Sequence, residues 1–325
     1  MKILVIFTGG TIGSTEQDGW ISPNQATKYL LLKEYTAKHS EVDFETIEPY
    51  SILSENLSAE ALNTLLQSVC ENAEKEYDGI IITHGTDTLQ YSASALSYAF
   101  GDTGMPIVLV SSNYPLSDDK SNGYINFEAA VQFIQSRIGK GVFVCYANTP
   151  ARVEIHCGNM LLSHSEMSDA LYSVGSNEFA YYQNGNIVLN PHFKKPIFNK
   201  PLRTFTLKPH PDILVVNNYP GEKYPYVLDG YRAVILRPYH SGTLNTDNTH
   251  LRELCQKAKA KGIPVFIVNV NNGAAYASSK LYSELGIIVL PQSAFVSIYM
   301  KIWIAVSNAY DITTFIKEPL AGEFY

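Results

Sequence analysis

The sequence predicts an α/β protein with two domains: a larger N-terminal, mostly parallel sheet flanked by helices, and a smaller C-terminal α/β domain. Short apolar runs, typical of strands buried on both faces, alternate with longer stretches of helical periodicity. This alternation favours a parallel sheet covered by helices. It is interrupted once by a proline-rich segment and then resumes. The length of 325 residues also favours two hydrophobic cores over one.

The N-terminal elements are predicted from their residue patterns. A strand is expected at 3–7, where every residue is aliphatic or aromatic, and a helix at 58–75 with Ser58 as its N-cap. The apolar stripe of that helix consists of Leu62, Leu65, Leu66 and Val69. Further strands are predicted at 79–83, 106–110 and 142–146, and further helices at 91–100 and 126–138.

A linker is predicted between the two domains. Asn184-Gly185-Asn186 is typical of a hairpin turn, and the prolines that follow are Pro191, Pro196, Pro201, Pro209 and Pro211. We therefore predict an N-terminal domain at 1–185, a linker at 186–211 and a C-terminal domain at 212–325. In the last, strands are expected at 213–216, 233–236, 265–268 and 286–290, with a helix at 251–261 and a helix-like stretch before Ala233.

Composition and charge exclude several classes of protein. The net charge is −7, and the acidic residues are scattered, so the chain lacks the basic surface of a nucleic-acid-binding protein. No apolar run reaches the roughly 18 residues of a membrane span. The first seven residues are too short for a signal peptide. The four cysteines occur singly, and no cluster has the spacing of metal ligands. We expect a cytoplasmic protein without metal or cofactor.

The first polar motif, Thr8-Gly9-Gly10-Thr11-Ile12-Gly13, follows the first predicted strand. Its glycines allow a ligand to approach the backbone and expose amide donors. The pattern is neither G-x-G-x-x-G nor G-x-x-x-x-G-K-[ST], so nucleotide binding is weakly supported. A tight strand-to-helix turn without ligand is the alternative.

The second motif, His84-Gly85-Thr86-Asp87-Thr88, follows the strand predicted at 79–83. Its carboxylate is suited to a substrate ammonium group, and its hydroxyls to a water molecule. The alternative is an N-cap, with Thr86 or Asp87 capping the helix that carries Tyr91. Because ligands of open parallel sheets bind at the carboxyl ends of strands, two such motifs at successive strand ends favour a binding site.

Together TGGTIG and HGTDT resemble the two signatures of the L-asparaginase family. The resemblance is to its type I, cytoplasmic bacterial branch, and it extends through 77–100, 106–126 and the tail 318–324. It implies hydrolysis of L-asparagine to L-aspartate and ammonia by a threonine nucleophile through an acyl-enzyme, without cofactor. It also implies that the N-terminal domain is the catalytic one, and that the protein is a homodimer or homotetramer.

The resemblance assigns roles to individual residues. Thr11 is the implied nucleophile, Thr86 organises water or proton transfer, and Asp87 binds the α-ammonium. Ser54 holds the substrate carboxylate, and its neighbour Glu55 helps to hold the α-ammonium. The alternative for these last two is a polar approach to the next helix, with Ser54 or Asn56 as its cap. The remaining substrate contacts are expected from Gly10, Gly85 and the backbone of Ser112.

The chain departs from the family pattern at positions that bear on activity. Ser163 stands where the family has a lysine, and Asn122 where it has an aspartate near that lysine. Both charges of a pair are thereby lost together. His164 is a possible base beside Ser163, with an ordinary surface or capping histidine as the alternative. Trp20 stands where a tyrosine often abuts the nucleophile.

These departures leave other functions open. One is an amidase for another small amide, and another is a homologue that binds asparagine or aspartate without hydrolysing it. Subunits that transamidate charged tRNA also resemble asparaginases, after an added N-terminal module. Here the nucleophile segment begins at Thr8 and the charge is acidic, so we do not expect a tRNA partner.

Overall fold

The computed structural model describes residues 1–17, 20–23, 25–165, 167–270 and 276–325, and their side chains except at 15–17, 20–23 and 25–28. In chain order the strands are β1 Lys2–Phe7, β2 Ser14–Gln17, β3 Trp20–Pro23, β4 Asp43–Ile47, β5 Gly79–Thr83, β6 Pro106–Val110, β7 Gly141–Thr149, β8 Arg152–Cys157, β9 Ala180–Gln183, β10 Asn186–Leu189, β11 Ile213–Asn217, β12 Ala233–Arg237, β13 Val265–Ile267 and β14 Ile287–Val289. The α-helices are α1 Gln25–Thr36, α2 Ala59–Cys70, α3 Leu89–Phe100, α4 Gly123–Ser136, α5 Thr249–Ala260, α6 Phe295–Ser307 and α7 Ile312–Phe315.

The larger sheet has eight strands in the order β10-β9-β8-β7-β6-β5-β1-β4. The strands from β4 through β7 run parallel, and β8, β9 and β10 extend the sheet with antiparallel pairs. β5 and β6 are buried along their whole length, which explains their continuous apolar runs. The mostly parallel sheet flanked by helices is as predicted, and the carboxyl ends of β1, β5 and β6 lie at one edge of it.

The second sheet is smaller and entirely parallel, in the order β11-β12-β13-β14. The two sheets share a hydrophobic cluster through α3 and α6, in which the hydroxyl of Tyr98 bonds the carbonyl oxygen of Ser297 at 3.0 Å. Within the described ranges, no helix is both long and apolar enough to cross a membrane.

Several predicted elements differ from the observed ones for local reasons. The helix predicted at 58–75 ends at Cys70, because the side-chain amide of Asn72 occupies the carbonyl oxygen of Ser68 that a further helical turn would use. Ser58 caps its start as predicted. The prediction of a helix-like stretch before Ala233 is wrong, because residues 218–232 form no helix in the structure. This segment contains Pro220, Gly221, Pro225 and Gly230, which disfavour a continuous helix.

The hairpin turn at Asn184 and Gly185 is confirmed. Both residues have positive φ, at 52° and 77°, which matches a two-residue turn between antiparallel strands. The strand after it, β10, pairs with β9 in the larger sheet. The first four residues of the predicted linker therefore belong to that sheet, and the domain limits themselves stay a prediction.

The C-terminal tail is held by a buried ion pair. Lys301 on α6 bonds Glu323 at 2.5 Å, and both side chains are fully buried. Lys301 also donates to the carbonyl oxygens of Ile316 and Glu318. Glu323 in turn accepts the backbone N–H groups of Leu320 and Ala321. Both charged groups are thus hydrogen-bonded beyond their own contact, which a buried pair needs in order to be tolerated.

We expect Glu323→Gln to lower the free energy of unfolding by about 3–5 kcal/mol, because it leaves the Lys301 charge buried without a counter-charge. Chemical denaturation measures this. The control is Asp229→Asn in the exposed Asp229–Lys261 pair, at 2.6 Å, where we expect a loss under about 1 kcal/mol. Equal losses in the two variants would contradict the role given to burial.

His156 on β8 predicts a pH dependence of stability. The ring is fully buried and bonds the Ser173 hydroxyl at 2.8 Å, and burial lowers the pKa of His156 to about 3. Below the unfolded pKa of about 6.5, the unfolded chain binds a proton that the folded chain does not. Stability therefore falls by up to roughly 1.4 kcal/mol per pH unit from about pH 6.5 towards pH 3.

We expect His156→Gln to flatten this acid limb, measured as the free energy of unfolding between pH 7 and pH 4. The exposed His192 offers the matched control His192→Gln, which should leave the slope unchanged. An unaltered slope in His156→Gln would show that other groups cause the acid sensitivity.

Candidate active site

Three separate segments of the chain meet at the carboxyl edge of the larger sheet. The loop after β1 bonds the segment after β4 through Gly10 N–H to Ile52 O and Ile52 N–H to Thr8 O, both at 3.1 Å. The loop after β5 joins them where Thr88 Oγ1 donates to Ser54 O at 2.8 Å. The two glycine motifs and the segment of Ser54 are therefore built into one structure.

Glycines allow the two motif loops to touch. Gly10 has φ 78° and ψ 176°, a conformation that favours glycine. A Cβ on Gly10 would lie 2.5 Å from the Cα of Gly85, and one on Gly85 would lie 2.5 Å from the Cβ of Ser54. Real Cβ atoms do not approach so closely, so a side chain at either glycine would push the loops apart.

Thr11 opens a single 3-10 turn at Thr11–Gly13 directly after this contact, and its side chain is half-buried. The carbonyl oxygen of Gly10 accepts Ser14 Oγ at 2.7 Å and Gly13 N–H at 3.0 Å, which holds the turn. Within the described part of the chain, the Thr11 hydroxyl makes no hydrogen bond.

Thr86 and Asp87 lie between β5 and α3, with Thr86 half-buried and Asp87 exposed. The N-cap of α3 is Thr88, without a side-chain cap bond, so the alternative in which Thr86 or Asp87 caps this helix is wrong. Among the described residues, neither side chain has a hydrogen-bond partner. Both are therefore available to a ligand, beside the half-buried Thr11 turn.

His84 orients the second motif, a role that the sequence reasoning missed. Its Nδ1–H donates to Gly85 O at 2.8 Å, so Nε2 is the acceptor and receives Ser92 Oγ at 2.7 Å. Burial lowers the pKa of His84, which keeps the ring neutral. A serine eight residues on, where α3 passes over the strand end, was the only signal for this pairing.

Ser54 and Glu55 occupy a one-turn helix at Ser54–Asn56. Ser54 is buried against Gly85, and Glu55 is exposed. The cap of the following helix is Ser58, so neither Ser54 nor Asn56 caps α2. The capping by Ser54 or Asn56 that the alternative interpretation assumed is therefore wrong.

Ser112 follows β6, the next strand along the same edge. Its hydroxyl donates to Tyr114 O at 2.5 Å and pairs with Ser121 Oγ at 2.8 Å. The side chain is therefore committed to its own loop, which leaves the backbone of Ser112 as the part available to a ligand.

Neutral polar side chains, Asn122 and Ser163, stand where the resemblance to the family implies a charged pair. Asn122 donates to Ala147 O at 2.9 Å and lies beside Tyr146, whose pKa burial raises to about 12. The ring of His164 meets that of Tyr146 edge-on at 6.3 Å. Both nitrogens of His164 are shielded from solvent and have no partner among the described residues, whereas Ser163 is exposed.

Two further expectations concern Trp20 and metal ligands. Trp20 pairs with Gln17 in the β2–β3 hairpin, but its side chain is outside the described part of the chain. In the described ranges, no three His, Cys, Asp or Glu side chains are grouped as a metal site.

Comparison with known proteins shows which family this sequence resembles. The family "Asparaginase, N-terminal" matches residues 2–195. L-asparaginase 1 of Escherichia coli K12 is 28% identical over 346 residues, covering 99% of this chain and 97% of that protein. A glutamyl-tRNA(Gln) amidotransferase subunit of Methanosarcina mazei is 31% identical over 258 residues, covering 75% of this chain but only 59% of that relative.

Solved structures share the fold. The thermostable L-asparaginase of Thermococcus kodakarensis superposes with a TM-score of 0.82 at 24% identity, covering 100% of this chain and 99% of that one. This likeness extends over both sheets. Because the family match spans more than half of the sequence, the chain belongs to the asparaginase family.

Proposed function

We propose that this protein hydrolyses L-asparagine to L-aspartate and ammonia, with Thr11 as the nucleophile. The observation that carries the proposal is the convergence of three loops. Backbone contact between Gly10 and Gly85 brings the Thr11 turn, Ser54 and the Thr86–Asp87 pair to one edge of the sheet. The side chains of Thr11, Thr86 and Asp87 have no hydrogen-bond partner within the described residues.

In the proposed first step, Thr11 Oγ1 attacks the side-chain amide carbon of asparagine and gives up its proton. The resulting oxyanion is stabilised by backbone amides of the glycine loops. The C–N bond then breaks, the nitrogen takes a proton and leaves as ammonia, and an ester to Thr11 remains. In the second step water, positioned by Thr86, attacks the ester and releases L-aspartate and the free hydroxyl.

The substrate's α-groups have counterparts on the same edge. The Asp87 carboxylate is exposed, which suits an ammonium group that arrives from solvent. Glu55 is exposed as well and adds a second negative charge for that ammonium. Ser54, buried against Gly85, is proposed to donate to the α-carboxylate, and the backbone of Ser112 to contact the leaving amide.

The proton acceptor differs from the family pattern, because Ser163 replaces the expected lysine. We propose that His164 takes this part. Its two ring nitrogens are shielded from water and unpaired in the described ranges, beside the hydroxyl-bearing ring of Tyr146. A neutral imidazole accepts a proton without the counter-charge that a buried lysine requires. Trp20 is proposed to cover the site.

A second candidate is the amide-hydrolysing part of an amidotransferase. It is favoured by the 31% identity to the amidotransferase subunit of Methanosarcina mazei. Hydrolysis of a different small amide, or binding of asparagine without turnover, remain as alternatives because the lysine is absent. We further propose that the protein acts in the cytoplasm as a homodimer or homotetramer.

The nucleophile is tested by ammonia release from L-asparagine. We expect steady turnover by the unaltered protein and none by Thr11→Ala, because the acyl-enzyme cannot form. Thr36→Ala, at an exposed threonine on α1, is the matched control and should keep full turnover. Undiminished turnover by Thr11→Ala would contradict the proposed mechanism.

The same assay separates the alternatives. Binding of asparagine without ammonia release would point to a sensor. Turnover of another amide in preference to asparagine would point to a different amidase. Ammonia release that requires charged tRNA or a second subunit would support the amidotransferase candidate.

The role of His164 is tested by His164→Gln. We expect kcat to fall by about 10²-fold or more while KM changes little, because general bases contribute roughly 10²–10⁴-fold. A merely structural role would not lower kcat while leaving KM nearly unchanged. His192→Gln serves as the exposed control. A normal kcat in His164→Gln would assign the base to another group.

A further inference from the structure

A cavity of about 390 Å³ lies at the edge of the larger sheet opposite to the glycine loops. β7 begins there at Gly141, and β8, which runs antiparallel to it, ends there at Cys157. Val142, Cys157 and Gly158 line the cavity. The parallel strands β1 and β5 end at the other edge, so this cavity is separate from the candidate active site.

Phenylalanine rings form much of its wall. Phe143, Phe179, Phe193 and Phe198 all line it, and the rings of Phe143, Phe179 and Phe193 succeed one another at 5.0 Å between centroids. Phe198 and Ile138 are each 41% exposed where the cavity opens to solvent. Small-molecule sites are typically concave, mostly apolar and of about 300–1,000 Å³. Both the size and the wall of this cavity fit that description.

The polar side chains inside the cavity are already satisfied. Ser97 Oγ donates to Ala93 O at 2.7 Å. The amide of Asn159 donates to Ala321 O at 3.1 Å, and its oxygen accepts the hydroxyls of Ser94 and Ser297. Both of these side chains therefore already have hydrogen-bond partners within the protein, which favours a ligand with an apolar body.

The charged groups at the cavity are both positive. Lys140 and Lys195 line it and are exposed, no acidic residue lines it, and neither lysine forms an ion pair within the described ranges. Although the chain as a whole carries a net charge of −7, the charge beside this apolar cavity is therefore positive. Such a local field attracts an anionic head group.

We propose that this cavity binds a small amphipathic monocarboxylate. Its alkyl or aryl body lies among the phenylalanine rings, and its carboxylate lies between the ammonium groups of Lys140 and Lys195. A free molecule is favoured over a membrane lipid, because the cavity is large enough for one short chain only. The proposal does not depend on the reaction at Thr11.

The test is calorimetric titration of the full chain with decanoate and 4-phenylbutyrate, and with decanol as an uncharged probe. We expect saturable binding of at least one carboxylate and weaker binding of decanol. The double variant Lys140→Glu/Lys195→Glu should raise the Kd about tenfold, since two attractions become repulsions. Raised salt should weaken binding to the unaltered protein.

The matched control is Lys257→Glu/Lys259→Glu, with the same charge change on α5 beside the second sheet. It should leave the Kd unchanged, and thermal unfolding checks that both double variants are folded. Absence of carboxylate binding, equal effects of the two double variants, or binding only to anionic phospholipid vesicles would each overturn the proposal.

Discussion

The close approach of two backbones, at Gly10 and Gly85, is the constraint on which the candidate site depends. The two loops follow neighbouring strands, whose separation in a sheet is only about 4.8 Å, so side chains at their ends would compete for the same space. Absence of a Cβ on both residues removes that competition. Thr11, Thr86 and Asp87 can then stand around the contact, and Ser54 is drawn in from a third segment.

The surrounding elements explain how the side chains at this contact are held in position. The buried, neutral ring of His84 connects the second loop to α3, because it bonds both Gly85 O and the hydroxyl of Ser92. α3 begins immediately after this loop and packs against α6 in the shared hydrophobic cluster. α6 in turn holds the C-terminal tail through Lys301 and Glu323. The loop with Thr86 and Asp87 is thereby connected to both sheets by rigid elements.

Uncharged side chains, Ser163 and Asn122, stand where the resemblance to the family implies a lysine and an aspartate. An isolated change of lysine to serine would leave a buried carboxylate unpaired, at a large cost in stability. Position 122 carries no such carboxylate: the amide of Asn122 donates to Ala147 O and lies beside Tyr146. The result is an uncharged polar group that needs no counter-ion. In the proposed mechanism His164, whose ring nitrogens have no partner among the described residues, moves the proton in place of a charged pair.

Much of the fold could be predicted from the sequence, because the burial of an element determines the spacing of its apolar residues. The continuous apolar runs of β1, β5 and β6 and the stripe of α2 are consequences of local burial, and Asn184-Gly185 specifies its turn through positive φ. The two glycine motifs likewise indicated a site at strand ends. The prediction of helix at 218–232 was wrong, because the prolines and glycines of this segment disfavour a helix despite its helical periodicity.

Only the tertiary structure decided which residues meet. That Ser54 packs on Gly85, that Ser92 completes the bonds of His84, and that His164 adjoins Tyr146 all follow from contacts between segments that local patterns do not relate. The pairing of Lys301 with Glu323 and the cavity between β7, β8 and the 193–198 segment have the same origin. A sequence records each residue's preference for burial or turn, but distances between segments arise only when the sheets and helices pack.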